Sequence, residues 1–443
     1  MNVIWFCLDT LRADHLGCYG YFRDTTPTID RLASEGVLFP QSRANAVATG
    51  PGFTSMFTAQ YAVNNEWYVT PYDRPDILNF PDARRVFPEA VWDAGGITTA
   101  AFDNLFSFAS HMKQFVRGFE WYVNSTSTSR AVHHHTVGGA VNQRLLPWIR
   151  TFADRPFFLF VHYWDPHTPY NQPAEFARPF VHERGSLDDL PVRDAPAGYR
   201  YVPGWGTLDN LPAAEGPAEW SPEPGSPWLY PQSIDHYDGE IRYTDHLIDQ
   251  VLNALADAGA LDETAVVVNA DHGEQLNQHY GCWGHPGLHE ANVFTPLVLW
   301  RPGMLPAGAR PGGYVHHVDV GPTILDLLGV EPPDGLDGHS LLPLVRGEGA
   351  PRDHCFAETL AQRSVTRDGW KYIWHQCAPD ELYDLAADPM EAINLINERP
   401  DRTEPLRAEL LDWVAHQLGD RPDPTGAQLA RTEAVRRQPH RFL

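Results

Sequence analysis

Asn2-Val3-Ile4-Trp5-Phe6-Cys7-Leu8-Asp9-Thr10 is the stretch that decides the fold. Residues 3–8 are apolar without a break and run straight into an acid. The run is short for a helix, and it lacks the polar alternation of a strand with one wet face, so it reads as a strand buried on both sides. Three further runs have the same character, at 156–163, 264–269 and 293–300, each bounded by polar or turn residues. Helical patterns lie between them. One covers 28–35 after a Thr-Thr-Pro entry, and another covers 238–258 with apolar residues at Ile241, Leu247, Val251, Leu252 and Leu255. Strands alternating with helices predict an α/β fold, a large mixed and mostly parallel sheet flanked by helices. Ligands of such sheets bind outside the carboxyl ends of the strands, so chemistry is expected just after each run.

The chain has 443 residues, enough for one large α/β domain and a smaller one, and 43% of them are hydrophobic. The 33 Lys+Arg against 57 Asp+Glu leave a net charge of −24, which argues against a nucleic-acid partner because phosphate backbones are gripped by basic side chains. A small anionic ester could still enter a locally positive pocket. No run of about 18 apolar residues occurs, so no membrane span is expected. Met1 leads directly into the first strand without a basic region or a cleavage site, which sets the expectation of a cytoplasmic protein. Cys7, Cys18, Cys282, Cys355 and Cys377 are odd in number and scattered, and read as reduced thiols.

Residues 1–354 read as the catalytic domain. Within it, 183–233 is a Pro/Gly-rich insertion carrying Tyr199, Tyr201, Trp205, Trp220, Trp228 and Tyr230, either an ordered lid or a surface insertion. Residues 355–419 read as a small C-terminal α+β subdomain. It has a hairpin turning at Arg367-Asp368-Gly369, a strand near 381–385 and a helix over 401–418. Residues 420–443 read as a tail or an oligomerisation arm, which leaves a homo-oligomer open.

Asp9 closes the first run, and Asp271-His272-Gly273-Glu274 follows the run at 264–269. A carboxylate at the end of a buried strand needs a partner. Asp9, Asp271 and His272 together form a plausible shell for a divalent cation, with the alternative of a capping Asp and a surface His. Thr49-Gly50-Pro51-Gly52 reads as a tight turn before a helix starting near Thr54, so the Thr49 hydroxyl is either a helix cap or a group held where an alkoxide is stabilised. Arg12 is a candidate anion contact or the partner of Asp14. His316, His317 and Asp319 offer a second, incomplete set of metal donors.

Several of these segments also resemble the sulfatase-like branch of the alkaline phosphatase superfamily. They include Asp9-Thr10-Leu11-Arg12-Ala13-Asp14-His15, Pro27-Thr28-Ile29-Asp30-Arg31-Leu32, Asp165-Pro166-His167-Thr168-Pro169-Tyr170 and Asp271-His272-Gly273-Glu274. Gly335-Leu336-Asp337-Gly338-His339-Ser340 and Glu381-Leu382-Tyr383-Asp384-Leu385 match as well, in family order from residue 3 to about 415.

The resemblance implies one divalent metal ion held by Asp9, Thr49, Asp271 and His272, with Thr49 also at the nucleophile position. His272 favours Mn²⁺ or Zn²⁺, with Mg²⁺ or Ca²⁺ as alternatives. It further implies His167 as a group contacting the reacting centre. His285 stands where relatives often carry a Lys, and His289 follows it as a candidate substrate contact. Three departures matter. Thr49 replaces the Cys or Ser that true sulfatases convert to formylglycine, Phe53 replaces the Arg of that motif, and Thr10 replaces a second metal-binding Asp. They point to a hydrolase of phosphate or phosphonate esters working through a phospho-threonine, a diester or phosphonate monoester being favoured. The alternatives are a sulfatase without formylglycine, a phosphotransferase, and a non-catalytic binding member of the family.

Overall fold

The computed structural model describes residues 1–65, 84–105, 112–125, 137–181, 232–276, 278–279, 283–359, 361–376 and 378–424. Nearly all of the 183–233 insertion, most of the 420–443 tail, Cys282 and Cys377 lie outside the described residues. Among the described residues, seven strands form the central sheet. They are β1 (Asn2–Leu8), β2 (Val37–Leu38), β3 (Thr98–Asp103), β4 (Trp121–Asn124), β5 (Phe157–Tyr163), β6 (Thr264–Ala270) and β7 (Leu297–Trp300), in the spatial order β2-β7-β6-β1-β5-β3-β4. β1 lies between β5 and β6 and pairs with both in parallel, Cys7 beside His162 on one side and Asn269 on the other. β7 runs antiparallel to β6 and to β2, which makes the sheet mixed.

Every residue of β1 is buried, and its two faces feed two separate cores. Ile4, Phe6 and Leu8 pack with residues of α1 (Pro27–Glu35), α4 (Gly139–Phe152) and α5 (Gln232–Asp257). Val3, Trp5 and Cys7 pack with residues of α2 (Thr49–Thr58), α3 (Phe87–Ala94) and α6 (Val320–Leu328). A strand covered on both sides has no polar face, which is why the opening run shows no alternation.

Two boundaries differ from the expectations. The strand expected over 293–300 is confined to Leu297–Trp300, because Glu290–Val293 is a helical turn and Pro296 has no N–H to give a ladder. The Thr-Gly-Pro-Gly segment is no turn ahead of a helix. It is the first turn of α2, which starts at Thr49 itself. Proline is tolerated there because first-turn N–H groups have no partner within the helix.

Past the sheet, β8 (His354–Glu358), β9 (Gln362–Arg367), β10 (Trp370–His375) and β11 (Glu381–Asp384) form an antiparallel sheet covered by α7 (Pro400–Leu418). Its central hairpin turns through Asp368 and Gly369, both at positive φ (50° and 77°), as a tight turn matched to strand twist requires. This second sheet is joined to the larger domain by a bridge between Glu358 and Ala46, in the loop ahead of α2, and by ion pairs. Lys371, fully buried on β10, sits 3.0 Å from both Glu290 and Glu391, and Glu290 is 2.7 Å from Arg43. Among the described residues no helix is long and apolar enough to cross a membrane.

Candidate active site

The parallel register brings the ends of β1 and β6 together, and with them Asp9, Asp271 and His272, all without solvent exposure. Their facing atoms lie close. His272 Nε2 is 3.8 Å from Asp9 Oδ1 and 3.4 Å from Asp271 Oδ2. Those same three atoms find no hydrogen-bond partner among the described residues. The remaining polar atoms are occupied. Asp271 Oδ1 accepts from the backbone N–H groups of Thr10 (3.1 Å) and His272 (2.8 Å). His272 Nδ1 lies 2.8 Å from the Gly273 carbonyl oxygen, an acceptor only, so Nδ1 carries the proton and Nε2 keeps its lone pair.

Burial, then the nearby Asp271 and Glu274, push the Asp9 carboxyl well above the usual range, and burial pushes Asp271 up to about 7. Burial, then His285, hold His272 far below its ordinary value, so it stays neutral. Two close acids and a neutral imidazole, each with an orphaned atom aimed at the others, fit a divalent cation.

Thr49 opens α2 beside this cluster, with its Oγ1 3.4 Å from Asp9 Oδ2. The backbone around it is strained. Ala48 has φ 81° and ψ 150°, and Thr10 has φ 61°, conformations that an L residue with a β-carbon adopts only under constraint. Thr10 donates its N–H to Asp271 and accepts at its carbonyl from Tyr237 (2.8 Å), contacts that hold it there.

A second corner adjoins the first. His285 lies with its ring centroid 4.4 Å from that of His272 and 5.5 Å from that of His167. The loop bearing His167 is anchored from three sides. Trp164 N–H donates to Asn104 (2.7 Å), Asn104 donates to Asp165 (3.1 Å), and Gln172 N–H donates to Glu240 (2.7 Å). The structure thus gathers Asp9, Thr49, Asp271, His272, His167 and His285.

Arg12 and His289 are engaged elsewhere. Arg12 is 2% exposed, forks onto Asp14 at 2.8 and 2.6 Å and donates to the Glu274 carbonyl at 3.1 Å. His289 points to Glu381 of the second sheet, 2.9 Å away, and stacks on His279. His316, His317 and Asp319 do not converge either. They pair with Tyr61, Thr295 and Arg352 respectively. Phe53, in place of a motif Arg, is fully buried against His162 and Phe57.

Sequence reasoning missed His162. Its Nε2 is 3.5 Å from Asp9 Oδ2, and burial lowers its pKa to about 3. One signal was available, a polar residue on the core-facing side of an otherwise apolar run.

Comparison with known proteins places the chain in a family and matches its fold. The family described as Sulfatase matches residues 1–330, and N-sulphoglucosamine sulphohydrolase, C-terminal, matches residues 279–417. The chain is 25% identical to the multifunctional alkaline phosphatase superfamily protein PehA of Trinickia caryophylli, over 90% of this chain and 91% of that one. Its fold is similar to that of the phosphonate monoester hydrolase of Agrobacterium radiobacter, with a TM-score of 0.73 and 22% identity over 94% of this chain and 96% of that one. It is also similar to BT4656, solved in complex with its substrate D-glucosamine-2-N,6-O-disulfate, with a TM-score of 0.75 and 21% identity over 96% and 99%.

Proposed function

The chain belongs to the sulfatase family, and from that premise we propose that it hydrolyses phosphate or phosphonate esters through a covalent ester on Thr49. The observation that carries the reading is the Thr49 hydroxyl, 3.4 Å from Asp9 at the edge of the three orphaned donor atoms. An unmodified threonine cannot form the aldehyde hydrate of formylglycine. It can attack phosphorus as an alcohol once its proton is displaced.

Asp9, Asp271 and His272 would hold a divalent cation, whose Lewis acidity lowers the pKa of a neighbouring alcohol and offsets charge on the ester oxygens. The chain's own residues do the rest. Thr49 Oγ1 attacks phosphorus, a Thr49 O–P bond forms, and the bond to the departing alkoxide or aryloxide breaks. His167 and His285 face this event from the adjoining corner and stabilise the departing oxygen. Water then cleaves the Thr49 O–P bond, and the threonine regains its proton. Phe53 of α2, packed on His162 beneath the helix, keeps that side of the nucleophile dry and neutral. A single cation neutralises limited charge, which favours diesters and phosphonate monoesters over phosphate monoesters.

Sulfate-ester hydrolysis is the second reading, supported by relatives such as the choline-sulfatase of Rhizobium meliloti, 32% identical over 36% of this chain. A panel of aryl phosphate mono- and diesters, phosphonates and sulfates, each with Mn²⁺, Zn²⁺, Mg²⁺ or Ca²⁺, separates the two. The expected result is a dominant phosphodiester or phosphonate rate with a transition metal, and a dominant sulfate rate overturns the proposal.

A further inference from the structure

Glu274 is the buried group that the proposed chemistry leaves unexplained. It is 1% exposed, and neither of its carboxylate oxygens finds a hydrogen-bond partner among the described residues. A buried carboxylate without donors is costly anywhere, and beside a cleft meant for an anionic ester it also repels the substrate. Two imidazoles stand next to it. His285 Nδ1 is 3.8 Å from Glu274 Oε1, and one ligating atom each of His167, Glu274 and His285 lie within 4.8 Å of one another. His167 Nδ1 is 2.6 Å from the Thr168 carbonyl, so it carries the proton and the lone pair sits on Nε2.

We propose that His167, Glu274 and His285 form a second divalent-cation site, next to the one made by Asp9, Asp271 and His272. The donor set of two imidazole nitrogens and one carboxylate suits a transition-metal dication, Zn²⁺ or Mn²⁺. The charge balance explains why a histidine serves at 285. With neutral imidazoles the corner carries the −1 of Glu274, and a bound dication turns it to +1, the sign an anionic ester requires. The two sites adjoin, since the ring centroids of His272 and His285 are 4.4 Å apart, so an ion held there would supply Lewis acidity to the same substrate. The inference deepens the proposed function. His167 and His285 would then hold a Lewis acid for the departing oxygen rather than meet that oxygen themselves, and the one-ion count, with the substrate preference argued from it, would give way to two.

The test is metal stoichiometry of the whole chain, read by elemental analysis after chelation and reloading with Zn²⁺, and by titration calorimetry with Mn²⁺. The parent is expected to bind two equivalents. Glu274→Gln and His285→Lys should each bind one, the lysine placing a fixed ammonium where the ion would sit. Asp271→Asn should also bind one, because it removes only the first site. A parent that saturates at one equivalent overturns the proposal, as does a Glu274→Gln protein that still binds two. The parent measurement alone decides the matter if a variant does not fold. Thr49→Ala should leave two equivalents bound, so a failure of the threonine chemistry is distinguishable from a failure of the second site.

Discussion

Gly52 lies so close to Asp271 that a β-carbon on it would stand 2.9 Å from the Asp271 carbonyl oxygen. The first turn of α2, which carries Thr49, is therefore seated directly on the strand end that carries the cation ligands. Nothing larger than hydrogen fits without parting the two. Gly52→Ala is expected to push Thr49 away from Asp9 and lower kcat by about 10²-fold, a displacement of the order of 1 Å being enough for that. Steady-state kinetics beside an unchanged circular dichroism spectrum checks it; full activity would show that the seat is not tight.

Thr49→Ala removes the attacking oxygen and is expected to cut turnover by at least about 10³-fold, whereas Thr49→Ser keeps measurable activity. Rapid-quench intact-mass analysis of the parent should reveal a substrate-derived adduct that Thr49→Ala lacks. An adduct that persists in the alanine variant would place the nucleophile elsewhere.

Asp9 and Asp271 repel each other, and a cation turns that cost into attraction. In chelator, Asp271→Asn should therefore melt a few degrees above the parent, because the amide still accepts from Thr10 and His272. With Mn²⁺ or Zn²⁺ present the order should reverse, since a ligand binding only the folded state raises its stability. Melting curves in both conditions read the crossing, and two parallel shifts would contradict it.

His316 sets an acid limit away from the active site. Burial, then Arg352, against the opposing pull of Asp319, lower its pKa from 6.5 to about 3, and its Nδ1 pairs with the Tyr61 hydroxyl at 2.8 Å. The folded value is depressed below the unfolded one, so the stability it contributes is complete above pH 6.5. It is lost as the pH falls, by up to about 1.4 kcal/mol per pH unit. Denaturant midpoints should drop between pH 7.5 and pH 5, and His316→Asn should flatten that drop.

Ala48 is held at φ 81° and ψ 150°, where glycine is at ease. Ala48→Gly is expected to raise unfolding stability by about 1 kcal/mol, less the chain entropy glycine adds to the unfolded state. Urea unfolding at fixed metal loading measures it. A loss of stability would mean that the alanine methyl packs better than its backbone is strained.

The contrast between what could and could not be read from the chain has a physical pattern. Asp9 and Asp271 were legible because each ends an apolar run, and a parallel sheet collects such ends on one edge. The helix starting at Thr49 was not, because Gly-Pro-Gly is a turn signal unless close packing needs Gly52. His162 was hidden inside a strand, and Glu274 was visible in its motif without a role, since only the fold shows its oxygens without donors. What Arg12 and His289 touch was only partly legible, for the same reason. Asp14 was a readable neighbour of Arg12, but Glu381, which engages His289, lies ninety-two residues further on and is joined only by folding.

Lys371 has a consequence for anyone who trims this chain. Its ammonium is the counter-ion of Glu290 and Glu391, and Glu290 begins the helical turn that leads into β7. A fragment ending before the second sheet would lose that ammonium together with the neighbours that screen Glu290 from water, leaving Arg43 alone to balance the acid beside the active-site loop. The terminal segment is accordingly a keystone of the larger half, and a minimal version of this enzyme has to retain it.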